Sequence, residues 1–288
     1  MQFQSEYVDL IDGIIAEYGG FDLKPDGTHA GDSAQSTYLK RHRHEYLRTV
    51  QDVDSFFGKT RTRRIFEIGA FFGVVSIALA RLGYDVVASD APAYMDIPAQ
   101  IDRFSREGIA IDRTELQEFV LNGQNDSFDC VIMCEVLEHL NFNPLPLLKE
   151  INRILPLGGL FYLSLPNHAQ IRNRMTALKG GGVGIDIPGL FEQLDPNSPS
   201  ITNGHWREYT MAEIHDMAGP LGFDVFHSYY FSYGEVANDP SLRKKLGRAF
   251  YKLFPAFKEN QTNLLVKRER TALEFAIPPT VHPKLRQL

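Results

Sequence analysis

The stretch Arg64–Asp90 reads RIFEIGAFFGVVSIALARLGYDVVASD, and it decides the fold. Ile65–Ile68 is predicted as a strand, and a glycine-bearing turn follows it. Val74–Leu82 has the apolar spacing of a helix, and Asp85–Ser89 is predicted as a second strand. A strand, a turn, a helix and a second strand in this order form the opening unit of a parallel α/β sheet.

The same alternation continues on the carboxyl side of this unit and predicts a mostly parallel, doubly wound sheet with helices on both faces. The further predicted strands are Ile109–Ile111, Phe128–Cys134, Leu160–Leu165, Phe223–Phe231 and Asn263–Lys267. The further predicted helices are Ile97–Arg106, one around Leu147–Leu155, Ala169–Leu178 and Met211–Ala218. We expect a helical cap at residues 1–60, a Rossmann-like domain at 61–270 with a lid-like insertion at 168–204 after the fifth strand, and a peripheral tail at 271–288.

Composition excludes several functional classes. The net charge of −6 gives no general attraction to nucleic acid. No run of 18 apolar residues exists to span a membrane, and the acidic amino terminus does not resemble a secretory signal. Cys130 and Cys134 are too few for a disulfide framework, so a cytoplasmic protein is expected.

The turn between the first strand and its helix has the features of a nucleoside site. Gly69 and Gly73 allow the backbone to approach a ligand closely. Asp90 follows Gly73 by 17 positions, where an acid can accept hydrogen bonds from ribose hydroxyls. Glu67, just before the turn, would repel a pyrophosphate but would favour a donor that carries an ammonium and a sulfonium.

These residues resemble the class I S-adenosylmethionine-dependent methyltransferases, whose first strand and loop read E/D-x-G-x-G-x-G. Glu67, Gly69 and Gly73 match this pattern, whereas Phe71 stands at the middle glycine. The resemblance implies seven strands, the last of them antiparallel, and S-adenosylmethionine as the cofactor. The cofactor-binding residues expected on this basis are Glu67, Gly69, Ala70, Gly73, Asp90, Ala91 and Glu135.

A second block, SFDCVIMCEVLEHL at Ser127–Leu140, resembles the ubiquinone-biosynthesis methyltransferases, which have type 11 or type 23 domains. His139 follows the fourth strand, and His205 opens HWREYTMAEI before a helix, so both are candidate catalytic bases for a hydroxyl acceptor. The E-x-x-E-H spacing resembles families that hold a divalent ion such as Mg²⁺. The candidate ligands are Glu135, Glu138, His139 and His205.

The resemblance of Gly204–Thr210 to methyltransferases of cell-surface sugars and natural products implies a small-molecule or glycosidic acceptor. Within that segment, Arg207 and Glu208 could form a positioning pair or a plain surface pair. The expected reaction is transfer of the sulfonium methyl group to a hydroxyl. Two alternatives stay open, a nicotinamide-dependent oxidoreductase and a non-catalytic nucleoside-binding module.

Overall fold

The structure is a computed structural model, and it describes residues 3–18, 32–192, 194, 204–232 and 242–274. Two compact units divide the chain. The first contains the described residues up to 132 together with 154–162, and the second contains 133–153 and the described residues from 163 onward. The predicted tail beyond residue 274, and residues 193 and 195–203 of the predicted insertion, lie outside the described residues.

The described chain contains seven strands and ten α-helices. The strands are β1 (Arg64–Ile68), β2 (Asp85–Ser89), β3 (Ala110–Asp112), β4 (Cys130–Cys134), β5 (Leu160–Pro166), β6 (Phe223–Phe231) and β7 (Asn260–Lys267). The helices are α1 (Ser5–Tyr18), α2 (Asp32–Phe56), α3 (Val74–Leu82), α4 (Pro92–Met95), α5 (Pro98–Arg106), α6 (Leu145–Ile154), α7 (Ile171–Leu178), α8 (Ile187–Glu192), α9 (Met211–Ala218) and α10 (Leu242–Leu253).

The seven strands have the order β3-β2-β1-β4-β5-β7-β6. β1 pairs with β2 and β2 with β3 in parallel, whereas β6 and β7 are antiparallel. This arrangement confirms the predicted Rossmann-like α/β class, with seven strands and an antiparallel last strand.

The first unit is built on apolar side chains of β1 and α3. Ile65 and Phe66 have no exposed surface. Successive side chains of a strand point to opposite faces of the sheet, so the sheet is covered on both faces at β1. α3 begins directly after Gly73 and ends at Gly83, whose φ of 105° accounts for a glycine at that position.

β5 is buried along its whole length, and its residues 163–166 belong to the second unit, which also contains the antiparallel β6–β7 pair. α9 begins at a capping box, because the Thr210 side chain accepts the Glu213 N–H and the Glu213 side chain accepts the Thr210 N–H. This cap explains why α9 begins at Met211, as predicted.

Several predicted boundaries differ from the observed ones. β4 begins at Cys130 and not at Phe128, because the backbone N–H groups of Ser127 and Phe128 both donate to the Ile154 carbonyl. α7 begins at Ile171 and not at Ala169, because the Ala169 N–H donates to the Asn167 side chain at 3.0 Å. β3 is shifted by one residue, and the short helices α4 and α8 were not predicted.

Among the helices that the structure describes, none has both the length and the apolar character needed to cross a bilayer.

A buried carboxylate on α2 links three elements of the first unit. Asp54 has no exposed surface, and it accepts hydrogen bonds from the hydroxyls of Tyr7 and Tyr84, each at 2.7 Å. Arg61 donates to the same carboxylate at 2.9 and 3.2 Å. Burial alone would raise the pKa of Asp54, but the hydrogen bonds from Arg61, Tyr84 and Tyr7 outweigh it, so the pKa lies below its ordinary value.

We predict that Asp54→Asn lowers the free energy of unfolding at neutral pH by about 3 kcal/mol, because it removes the charge that these buried donors require. The pKa of Asp54 is depressed on folding, so its stabilisation is present above the ordinary pKa of 3.8 and is lost as pH falls through the lower folded value. Urea unfolding at several pH values should therefore show that the difference in free energy of unfolding between Asp54→Asn and the wild type becomes smaller in acid.

Glu6→Gln is the matched control, because Glu6 pairs with the same Arg61 at 2.8 Å but lies at the surface. It should cost less than about 1 kcal/mol. Equal losses in the two variants, or a gap that persists unchanged in acid, would contradict the assigned role of Asp54.

Candidate active site

The β1–α3 loop, residues 69–73, turns through left-handed backbone conformations. Gly69 and Gly73 have φ of 78° and 73°, and Phe71 has φ of 42°. The N–H groups of Gly69 and Ala70 both donate to the Ser89 carbonyl, at 2.8 and 3.0 Å. The loop therefore folds back over the end of β2, within the first unit.

Asp90 fixes the middle of this loop. Its carboxylate accepts the Phe71 N–H at 2.8 Å and the Ala91 N–H at 2.7 Å, one on each oxygen. Burial raises the pKa of Asp90, and these two backbone donors partly offset the effect. The carboxylate is thus oriented by the backbone and still has further lone pairs to offer.

Two side chains of α5 hold the loop from its other side. Gln100 donates to the Phe71 carbonyl, and Arg103 donates to the Phe72 carbonyl at 2.6 Å. Burial lowers the pKa of Arg103 to about 10, and its guanidinium lies 4.6 Å from the ring centroid of Tyr18. These donors stabilise the left-handed conformation of Phe71, which costs a non-glycine residue roughly 1–2 kcal/mol.

Gly73 is required for a different reason. A Cβ atom at this position would lie 2.3 Å from the ring of Phe104, which is fully buried on α5. The last glycine of the loop therefore allows α5 to pack directly against the start of α3.

Phe71 belongs to an aromatic group. Its ring centroid lies 4.3 Å from Phe72, 5.2 Å from Tyr94 and 5.8 Å from Tyr38. A fifth ring, that of His42, lies 4.3 Å from Tyr38, and its Nδ1 atom forms a hydrogen bond with the Glu45 carboxylate at 2.6 Å. Tyr38 is 40% exposed, so this group is open to solvent on one side.

Glu67 lies beneath the loop and is only 5% exposed. The hydroxyl of Ser76, on the first turn of α3, donates to its carboxylate. Burial raises the pKa of Glu67 to about 8 despite this hydrogen bond, and the charge of Asp90 adds to the effect. A buried carboxylate with so weak a local partner is typical of a functional position.

The second unit brings together one carboxylate and two imidazoles, which we call the histidine cluster (Glu138, His139, His205). One ligand atom from each lies within 4.8 Å of those of the other two. The rings of His139 and His205 are perpendicular at 4.9 Å, and the Nε2 atom of His139 lies 3.7 Å from the buried Glu138 carboxylate. The 3₁₀ turn Leu137–His139 after β4 supplies two of the three residues.

The two imidazoles of the cluster have opposite pKa shifts. Burial, together with the charge of His205, lowers the pKa of His139 to about 4. The pKa of His205 is raised, chiefly by its hydrogen bond with Glu208 at 3.0 Å between Nδ1 and Oε1. His139 is therefore neutral at physiological pH, and Glu208 orients the His205 ring.

The pair suggested by the sequence between Arg207 and Glu208 does not form. Glu208 bonds His205 and accepts from Asn173 at 2.6 Å, whereas Arg207 pairs with Glu213 at 2.9 Å. Sequence reasoning thus missed Glu208 as the partner of His205, although the H-x-x-E spacing could have indicated it.

Glu135 lies at the end of β4 with φ of 53°, and its N–H donates to the Ser164 carbonyl at 2.9 Å. Among the described residues, the group of donor atoms that lie close together contains Glu138, His139 and His205 but not Glu135. The structure therefore brings three of the four predicted metal-ligand candidates together.

Residues 39–228 match the methyltransferase-domain family, which is about two thirds of the chain. The chain belongs to this family. The identification as a class I S-adenosylmethionine-dependent methyltransferase with a type 23-like domain is thereby confirmed.

Curated relatives match parts of this methyltransferase. The ubiquinone biosynthesis O-methyltransferase of Roseobacter denitrificans is 35% identical over 123 residues, which are 43% of this chain and 47% of the relative. The protein with the same description from Cereibacter sphaeroides is 35% identical over 104 residues, which are 36% of this chain and 41% of that protein. The chain thus spans less than half the length of these relatives.

Solved structures show the same fold at low sequence identity. A SAM-dependent methyltransferase from Thermotoga maritima has a TM-score of 0.50 and 15% identity, covering 82% of this chain and 95% of that one. An S-adenosylmethionine-dependent methyltransferase from Mesorhizobium loti has a TM-score of 0.50 and 16% identity, covering 75% of this chain and 96% of that one.

The residues predicted to bind the cofactor fall into two sets in this methyltransferase. Those on β1, β2 and the loops that follow them share the first unit, whereas Glu135 belongs to the second. Sequence reasoning missed Gln100 and Arg103, which hold the loop from α5; their signal was a pair of polar residues three positions apart beside the buried Phe104.

The buried Glu67 gives a prediction about stability. Its folded pKa of about 8 lies above the ordinary value of 4.5, so the native chain holds a proton that unfolding releases. Glu67 therefore lowers the free energy of unfolding of the wild type by an amount that grows as pH rises from about 4.5 to about 8. Glu67→Gln should therefore be more stable than the wild type near pH 8 and similar to it near pH 4.5. One pKa unit corresponds to about 1.4 kcal/mol, so urea unfolding across this range can measure the difference.

The exposed Glu118→Gln serves as the control and should follow the wild type at every pH. A Glu67→Gln chain that is less stable than the wild type at pH 8 would show that the carboxylate is ionised and satisfied in the native state, contrary to this account.

Proposed function

We propose that the chain transfers the methyl group of S-adenosylmethionine to a hydroxyl of a small molecule or sugar. The observation that carries the proposal is the position of the Glu67 carboxylate beside the β1–α3 loop, where the pyrophosphate of a dinucleotide would need bare N–H groups. A donor with an ammonium and a sulfonium, and without a phosphate, suits this charge.

Each candidate cofactor-binding residue of the first unit has a proposed role toward this donor. Asp90 accepts hydrogen bonds from the ribose hydroxyls, since both of its oxygens are already oriented by backbone amides. Glu67, which holds a proton at neutral pH in the unliganded chain, is proposed to lose it when the cationic methionine end binds beside it. Gly69, Ala70, Gly73 and Ala91 let the backbone approach the ligand closely.

Calorimetry with S-adenosylhomocysteine and with NAD tests the donor. We expect saturable binding of S-adenosylhomocysteine alone, and Asp90→Asn should weaken it about tenfold, because a charge-assisted hydrogen bond contributes roughly 1.5–3 kcal/mol. Asp96→Asn, at an exposed ion pair with Arg113, is the control and should bind normally. Binding of NAD alone would favour the oxidoreductase alternative and end the proposal.

For the acceptor, we propose that His205 removes the hydroxyl proton as the carbon–oxygen bond forms and the carbon–sulfur bond breaks. Glu208 holds Nδ1 of His205, which leaves Nε2 as the atom that takes the proton. His139 is proposed as a second imidazole of the same cluster, able to accept a hydrogen bond from the acceptor.

A divalent cation is a second candidate for this step, favoured by the closeness of the Glu138, His139 and His205 ligand atoms. One carboxylate and two imidazoles suit a transition metal, and the oxygen of an acceptor would also admit Mg²⁺. When bound, such an ion would lower the pKa of an acceptor hydroxyl. Glu208 would then orient His205 as a ligand, as carboxylates commonly do beside metal-bound histidines.

We expect His205→Ala to slow formation of S-adenosylhomocysteine by on the order of 10²–10⁴-fold with catechol or a methyl glycoside as acceptor, and His139→Ala to slow it less. Neither change should alter the affinity for S-adenosylhomocysteine. His215→Ala is the control, since His215 bonds Ser228 outside the cluster. Full activity of both cluster variants would contradict the assignment.

Calorimetric titration with Mn²⁺ and Mg²⁺ distinguishes imidazoles that act as bases from imidazoles that bind a cation. Saturable binding in the wild type that is lost in Glu138→Gln would support the cation. Absence of binding in the wild type, with activity unchanged by a chelator, would exclude it and leave His205 as the base.

A further inference from the structure

A cleft of about 720 Å³ lies in the second unit beside the histidine cluster. Trp206 and Arg207 line it, and so do Asn141 and Asn143. α9 contributes the carboxylates of Glu213 and Asp216. The cleft therefore combines one large aromatic face with amide, guanidinium and carboxylate groups.

Trp206 is the single tryptophan of the chain, and it is 39% exposed. Its backbone is fixed, because the N–H groups of Trp206 and Arg207 donate to the Glu138 carbonyl at 2.8 and 3.3 Å. An indole on a fixed backbone offers a ligand a large aromatic surface, and only its two side-chain torsions have to be ordered on binding.

The polar groups around Trp206 are also held in place. Arg207 pairs with Glu213 at 2.9 Å and lies 4.9 Å from the ring centroid of Tyr209. The side-chain oxygen of Asn143 accepts the Leu145 N–H at 3.1 Å, which directs its NH₂ group away from α6. Fixed donors and acceptors around an aromatic face give a site directional specificity.

The chemistry of the cleft selects among ligand classes. A pyranose ring has an apolar face of C–H groups, which stacks on an indole, and a rim of hydroxyls, which both donate and accept hydrogen bonds. A phosphate would be repelled by Glu213 and Asp216, and an alkyl chain would form no hydrogen bonds with the polar groups that line the cleft. A phenol would use the aromatic face but would match few of the polar groups.

Two residues that line the cleft directly follow the two histidines of the histidine cluster along the chain. Leu140, which follows His139, and Trp206, which follows His205, both line it. A ligand seated on Trp206 is thus held by the same two segments that carry the imidazoles.

We propose that the Trp206 cleft is a saccharide subsite, so that the methyl acceptor is a hydroxyl of a glycoside. The proposal rests on the O-methyl transfer proposed above, and it narrows the acceptor from any small hydroxyl compound to a sugar.

Saturation-transfer NMR on the whole chain tests this subsite without requiring turnover. The probes are methyl α-D-glucopyranoside, methyl α-D-galactopyranoside and methyl α-L-rhamnopyranoside, with catechol and 3,4-dihydroxybenzoate as the phenolic comparison. We expect saturation on the C–H protons of at least one glycoside, and a shift of the single-tryptophan fluorescence in the same titration. Trp206→Ala should weaken this binding roughly 5- to 10-fold, and Trp206→Phe should restore part of it.

Phe226→Ala is the matched control, because Phe226 is an aromatic residue of the same unit that is 63% exposed and does not line the cleft. It should bind glycosides as the wild type does. Binding of the phenols but of none of the glycosides, or glycoside binding that survives Trp206→Ala, would overturn the proposal.

Calorimetry with S-adenosylhomocysteine on the same samples keeps the two proposals apart. Trp206→Ala should bind S-adenosylhomocysteine like the wild type, which shows that the loss is confined to the sugar. If the wild type binds a glycoside through Trp206 but no S-adenosylhomocysteine, the methyl-transfer proposal fails and the saccharide site stands as a binding site only.

Discussion

The carboxylate of Asp90, held between the N–H groups of Phe71 and Ala91, is the interaction on which the candidate donor site depends. Asp90 joins the end of β2 to the β1–α3 loop, and the two N–H groups fix the direction of its carboxylate oxygens. Because Gln100 and Arg103 bind the loop carbonyls from the other side, the loop is held at both its N–H and its C=O groups. A nucleoside that binds here meets a surface that is already formed, which lowers the entropic cost of binding.

Carboxylates buried without a strong cationic partner recur at the candidate sites and contrast with Asp54. Asp54 has Arg61 and two tyrosine hydroxyls, and its pKa is lowered as expected of a structural carboxylate. Glu67 and Asp90 have raised pKa values because burial outweighs their hydrogen bonds. Such groups reduce the stability of the unliganded chain, and a cationic or hydroxyl-bearing ligand would offset that cost.

The fold was largely predictable because its signals are local. The glycines on either side of α3, the apolar runs of β1 and β4, and the capping box at Thr210 each act within a few residues. The left-handed conformation of Phe71 was not predictable, because it depends on side chains that are distant in sequence. Gln100, 29 positions away, donates to the Phe71 carbonyl, and Arg103 donates to the Phe72 carbonyl. The pairing of Glu208 with His205 is of the other kind, because the two residues lie three positions apart and their H-x-x-E spacing is a local signal.

The measurement that tests the central claim most directly is a crystal structure grown with S-adenosylhomocysteine. The account predicts that the ribose hydroxyls donate to Asp90 while the Phe71 N–H keeps its bond to the same carboxylate, and that the methionine end lies toward Glu67. A nucleoside bound elsewhere, or a space beside Gly69 filled by the Phe71 ring with no ligand in it, would contradict the account.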